Sequence, residues 1–168
     1  EITFLGNVIS AKVKGSRLTP YSETIKLPRF SSKDIDKLIN LIQEQPVVLS
    51  KLFNRQLDES LAKMAEEAGM PLFPKQWKDL KMNCSCPDWA VPCKHLAAVI
   101  YKTSMEIDNN PFLVFSLHGV DLMAELEKRG ITAADTTEMM EVENTSAVYA
   151  TMEQMQLKEV PGQMPDYT

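Results

Sequence analysis

Only three cysteines and two histidines occur among the 168 residues, and no run of about 18 apolar residues is present. Lack of such a run leaves no segment to cross a bilayer as a helix, and a membrane role is not expected. Three cysteines cannot make the even framework of a secreted disulfide scaffold, and all three lie within ten residues of one another. They suit a reducing compartment, so a cytoplasmic protein is expected. The six glycines form no phosphate-cradling loop, and neither an H-E-x-x-H nor a G-x-S-x-G motif occurs. No enzyme and no small-molecule substrate are therefore expected. Neither a basic start nor a long apolar stretch follows Glu1, so no secretory signal is visible, and the absent Met suggests that the chain is truncated upstream.

What is present is ordinary for a globular domain, with 44% hydrophobic and 24% charged residues. Charge is unevenly spread. Residues 1–105 hold 15 Lys+Arg against 11 Asp+Glu, whereas residues 106–168 hold 3 against 12. A mildly basic body thus precedes a strongly acidic, Met-rich end, which composition reads as a tail. A weak helical stripe at Val148, Met152 and Met155 makes this tail a candidate protein contact.

Local patterns predict an α+β fold. Thr3 to Lys14 is rich in β-branched residues with a Gly6-Asn7 turn, and Tyr21 to Leu27 alternates before Pro28, giving an antiparallel β-meander of about three strands. Ser31 or Ser32 can cap a helix with the stripe Ile35, Leu38, Ile39 and Ile42, stopped by Pro46. Val47–Phe53 and the stripe Leu57, Leu61, Met64 and Ala68 predict two more helices, and all three are expected to cover the sheet. Leu96, Val99, Ile100, Thr103 and Ile107 share one helical face. A final helix is expected from Pro111 to Lys128-Arg129-Gly130.

The chemistry-bearing motif is Cys84-Ser85-Cys86, six residues, then Cys93-Lys94-His95. In extended backbone, side chains two apart point the same way, so Cys84 and Cys86 can meet one ion. Positions i and i+2 do not share a helix face. Cys93 should therefore sit just before a helix and His95 in its first turn. Three thiolates and a neutral imidazole suit one tetrahedral, structural Zn²⁺, with the helix N-terminus and Lys94 offsetting the net negative charge. Inert buried thiols, a disulfide with one thiol spare and an iron–sulfur ligand set are the alternatives, and the paired spacing favours zinc. His118, alone among apolar residues, is read as a packed or surface residue rather than a ligand.

Residues 84–95, Cys-Ser-Cys-Pro-Asp-Trp-Ala-Val-Pro-Cys-Lys-His, closely resemble the SWIM zinc finger, whose pattern is C-x-C, a variable spacer, then C-x-H. The resemblance extends to the Gly15-Ser16-Arg17 turn with Pro20-Tyr21, to Leu72-Phe73-Pro74, and to Ala97–Tyr101 with Asp108–Phe112. It is to bacterial SWIM proteins that are similar to accessory partners of Swi/Snf-type helicases, and it implies DNA binding, protein binding or both. On this reading residues 1–70 are a strand–helix region and 71–108 the zinc finger, built as a β-hairpin and helix. Residues 109–131 then end the body and 132–168 are the tail.

Lys75, Lys78, Lys81, Lys94 and Lys102 surround the motif, with Trp77 and Trp89 able to stack on bases, and Lys12, Lys14 and Arg17 form a second basic group. DNA is one expected partner. The alternative is a scaffold subunit that binds protein without touching DNA.

Overall fold

The computed structural model describes residues 1–132. The tail beyond, including the Val148, Met152 and Met155 stripe, lies outside the described residues. Three strands open the chain: β1 (Ile2–Leu5), β2 (Val8–Val13) and β3 (Tyr21–Lys26). Gly6 takes a positive φ of 52° in the β1–β2 turn, a conformation that glycine adopts without steric penalty. Asn7 beside it is buried, and its Nδ2 donates to the Leu27 carbonyl at 2.6 Å, tying this turn to the end of β3.

A fourth strand, β4 (Lys81–Cys84), joins the sheet far from the others in sequence. The order is β1-β2-β3-β4, all antiparallel, with Glu23 opposite Cys84 and Lys26 opposite Lys81. The zinc motif thus supplies a strand to the N-terminal sheet, and the return segment is a loop rather than a second hairpin strand.

Helix α1 (Ser32–Gln43) begins at Ser31, whose hydroxyl accepts from the Asp34 amide while the Asp34 carboxylate accepts from the Ser31 amide. This reciprocal cap satisfies two backbone donors that the helix start leaves open. Helix α2 (Pro46–Phe53) starts on proline, which lacks the N–H that would be orphaned there. Helix α3 (Glu59–Glu67) is capped by Asp58. Leu38, Ile39 and Ile42 of α1, Leu52 of α2 and Leu61 and Ala65 of α3 are fully enclosed.

Helix α4 (Lys94–Asn109) is the one laid on the sheet. Its Ile100, Thr103 and Ile107 border the same apolar space as Ile9 and Ile25 of the strands. The expected cover of α1–α3 is instead a cluster in which α1 packs on α2, α3 and the last helix. The reason is local: β4 and α4 are joined by the short motif loop, so whatever sheet β4 enters must carry α4 beside it.

The expected final helix is two, α5 (Phe112–Ser116) and α6 (Leu122–Lys128). Gly119, at φ 79°, breaks the run, and the Asp121 side chain accepts from the Ala124 amide to restart it. All helices and the inner sheet face feed one apolar core. Among the described residues no helix is long and apolar enough to cross a membrane.

Candidate metal centre

Strand alternation turns Met82 and Cys84 of β4 towards the core side and Lys81 and Asn83 outward. Beyond the strand, Ser85 continues the pairing: its amide donates to the Ser22 carbonyl at 3.0 Å, and its Oγ accepts from the Ser22 amide at 2.9 Å. That lock brings Cys86 back to the same side as Cys84. The loop Pro87–Pro92 then returns the chain, with the Ala90 amide donating to Asp88 Oδ1 at 3.0 Å. Cys93 is the extended N-cap residue of α4, at φ −75° and ψ 169°, and His95 lies in the first turn. Both are placed as the i, i+2 spacing predicted.

The three sulfurs and one imidazole nitrogen all lie within 4.8 Å of one another. Cys84 Sγ is 3.9 Å from His95 Nδ1, and the Cys86 amide reaches Cys84 Sγ at 3.5 Å. A tetrahedral zinc with Zn–S bonds of about 2.3 Å needs sulfurs about 3.8 Å apart, so small side-chain adjustments close the shell. No disulfide joins the cysteines. Cys84, Cys86, Cys93 and His95 are positioned to bind one zinc ion. Together they supply all four positions of a tetrahedron.

Burial pushes the Cys84 thiol up to about 12. Burial also opposes ionisation of Cys93, yet its pKa is lowered on balance because the α4 amides of Leu96 and His95 and the thiols of Cys86 and Cys84 turn towards its sulfur. A helix start thus favours negative charge at the ligand seated on it.

Three further residues shape the site: Tyr21 and Gly15, which the resemblance takes in, and Glu23, which the charge and motif signals pass over. Glu23 is 1% exposed, its Oε1 lies 3.4 Å from Cys84 Sγ, and its Oε2 has no partner among the described residues. The signal was available in β3, where Tyr21, Glu23 and Ile25 alternate inward and a carboxylate therefore takes a core position. Tyr21 packs its ring 4.5 Å from that of His95. Gly15 lies against both: a Cβ there would stand 2.5 Å from Tyr21 Cε2 and 3.1 Å from His95 Nε2. Position 15 is glycine because a Cβ there would overlap the Tyr21 ring, which itself packs on His95.

The basic and aromatic residues of the sequence reading fall into separate groups. Trp89 is 93% exposed on the motif loop and Trp77 is exposed on a single 3₁₀ turn (Trp77–Asp79). Lys94 and Lys102 stand on α4, and Lys102 pairs with Glu106 at 2.8 Å. Lys75 pairs with Glu66. Lys78 lies on the 3₁₀ turn, while Lys12 and Lys81 project from the outer side of the sheet. Lys14 and Arg17 lie in the β2–β3 turn, Arg17 being 5.6 Å from the Tyr21 ring centre. His118 is a packed residue remote in sequence from the motif. Its Nδ1 lies 2.8 Å from the Pro28 carbonyl, its Nε2 3.1 Å from that of Leu72, and its ring stacks on Phe30.

Comparison with known proteins agrees with this geometry. The family model described as SWIM zinc finger matches residues 67–104. The chain is similar to the "Uncharacterized protein Rv2102" of Mycobacterium tuberculosis (strain ATCC 25618 / H37Rv), at 34% identity over 122 residues. That alignment covers 71% of this chain but only 44% of the relative's length. No solved structure matches. With its matched segment spanning all four ligands, the chain carries a SWIM zinc finger in residues 67–104.

Proposed function

We propose that this chain is a zinc-stabilised accessory module that contacts DNA directly and serves a Swi/Snf-type helicase in the bacterial cytoplasm, without catalysing a reaction itself. Four protein ligands leave a tetrahedral zinc no open position for water or substrate, so the ion acts as a clamp. The reduced, crowded thiols suit the cytoplasm. The observation that carries the DNA reading is Trp89, fully displayed on a loop tethered at both ends by ligand cysteines. A large indole left in water is unfavourable unless a partner covers it, and a held aromatic is what stacking on a base requires.

Fluorescence anisotropy of labelled single-stranded and duplex DNA with the zinc-loaded protein tests the reading. Binding should weaken as salt rises, and Trp89→Ala should lose about 1–3 kcal/mol of affinity at constant zinc content. Binding that ignores salt, or none at all, would sink it.

A second reading, protein docking without DNA contact, draws on the outward face of α4. Ala97, Ala98, Tyr101 and Met105 leave an apolar strip exposed there. Tyr101→Glu should then abolish co-purification with the helicase partner, and the zinc-loaded wild type should bind neither single-stranded nor duplex DNA.

A further inference from the structure

The outer face of the sheet is open, and its composition is one-sided. On β1 and β2 it presents Thr3, Leu5, Val8, Ser10 and Lys12, and on β3 and β4 it presents Ser22, Thr24, Lys26, Lys81 and Asn83. The register lines these up across the strands. Thr3, Ser10, Thr24 and Asn83 form one row of hydroxyls and an amide, while Lys26 and Lys81 face each other in the next. No strand residue on this face is acidic. Glu1 stands at one rim, and Asp79 at the other has its Oδ2 engaged by the Lys75 and Gln76 amides.

Lys12, Lys26 and Lys81 are among the lysines that pair with no acid among the described residues, whereas Lys51, Lys75, Lys102 and Lys128 each meet a carboxylate. Like charges directly opposite on neighbouring strands are destabilising. Lys26 against Lys81 is therefore an arrangement that an anion between them would relieve. Arg29 borders the same cleft, its Nε donating to Asn7 Oδ1 at 3.1 Å, which fixes the guanidinium in place.

We infer that this outer sheet face is a binding surface for the phosphate backbone of a nucleic acid, with Lys12, Lys26, Lys81 and Arg29 as its cationic contacts. The inference rests on the DNA reading above and places the backbone contact away from the motif loop. A single phosphate cannot serve the whole face. Lys12 pairs at the level of Ser22, four residues from Lys26, roughly 13 Å at the rise of a strand, so the ligand must carry repeated charges. Between the cations stand hydroxyl and amide groups that can bond to phosphate or sugar oxygens. No aromatic residue stands on the face, so it reads backbone and not bases, and its contribution is independent of sequence. Trp89 would supply stacking from the motif loop.

The test compares the zinc-loaded wild-type chain with Lys12→Gln/Lys26→Gln/Lys81→Gln and with a control, Lys33→Gln/Lys63→Gln, at exposed positions of α1 and α3. Each protein is titrated with a labelled DNA duplex and with its single strand over a salt series. Zinc content of one per chain in every variant establishes that the site is intact. In the triple variant the slope of log affinity against log salt should fall by about one for each phosphate-contacting lysine removed, with affinity about tenfold or more weaker at low salt. The control should keep the wild-type slope. An unchanged slope in the triple variant overturns this inference while leaving the DNA reading intact, and wild type that binds neither DNA overturns both. Tighter binding of phosphatidylserine vesicles than of DNA, lost in the triple variant, would overturn the nucleic acid as occupant.

Discussion

Gly15 shows how far the requirements of a metal site reach from its ligands. Its Cα lies so close to Tyr21 and His95 that a methyl group would overlap the tyrosine ring and press on the imidazole. Gly15→Ala is therefore expected to weaken zinc affinity about 10–100-fold, the range for disturbed outer contacts of a metal ligand, as read by competition with a chromophoric chelator. Retained affinity would show that the turn yields. Cys93→Ser should lose the ion altogether, because a hydroxyl does not replace the thiolate at the helix start. Zinc displaces protons from thiols, and burial holds Cys84 up at about 12. Affinity should accordingly rise with pH between about 6 and 8, and a flat profile would contradict thiolate ligation. His118 serves packing instead, since both its ring nitrogens lie at hydrogen-bonding distance from carbonyls of separate segments. His118→Ala should cost about 1–3 kcal/mol in denaturant unfolding, with zinc content unchanged. The four ligands were legible in the sequence because i, i+2 spacing has few structural uses. The alternation of β3 carried a signal for the inward place of Glu23, but not for its approach to Cys84, which depends on a strand 61 residues away.

Among the elements, β4 was expected as one strand of a zinc hairpin, and its partner is what the sequence did not reveal. Lys81–Cys84 pairs with β3 of the N-terminal sheet, a contact too non-local for pattern to announce. The meander, the Ser31 cap and the helices α1–α3 follow from local pattern and could be read directly. What could not be read was which helix would lie on the sheet. That depends on the clamp: zinc ligands at the end of β4 and the start of α4 tie a strand and a helix that are otherwise linked only by an exposed loop. Free energies of structural zinc binding run to about 10–16 kcal/mol, comparable with the stability of a whole domain. Chelation should therefore speed amide hydrogen exchange first in β4, the motif loop and the first turns of α4, roughly residues 77–101. The enclosed α1 amides around Leu38, Ile39 and Ile42 should exchange later. Uniform loss of protection over the whole body would show that zinc holds the entire fold, and no change would show that the clamp is dispensable.

At the scale of the whole molecule, net charge misleads. The chain carries −5, yet its cations gather in the first 105 residues and the segment from 133 onward has seven acids against Lys158 alone. On the proposed reading, a distant polyanion meets the total charge, while a docked one meets the open sheet face. Removing residues 133–168 should strengthen DNA binding at low salt and leave the zinc content at one. Weaker binding would mean that the tail takes part in the contact. All of this depends on the identity of the metal shell. Extended X-ray absorption fine structure at the zinc edge of the purified protein tests it most directly. Three sulfurs at about 2.3 Å and one nitrogen at about 2.0–2.1 Å are predicted, whereas a shell containing water or carboxylate oxygen, or protein that takes up no zinc, would contradict the closed site of Cys84, Cys86, Cys93 and His95.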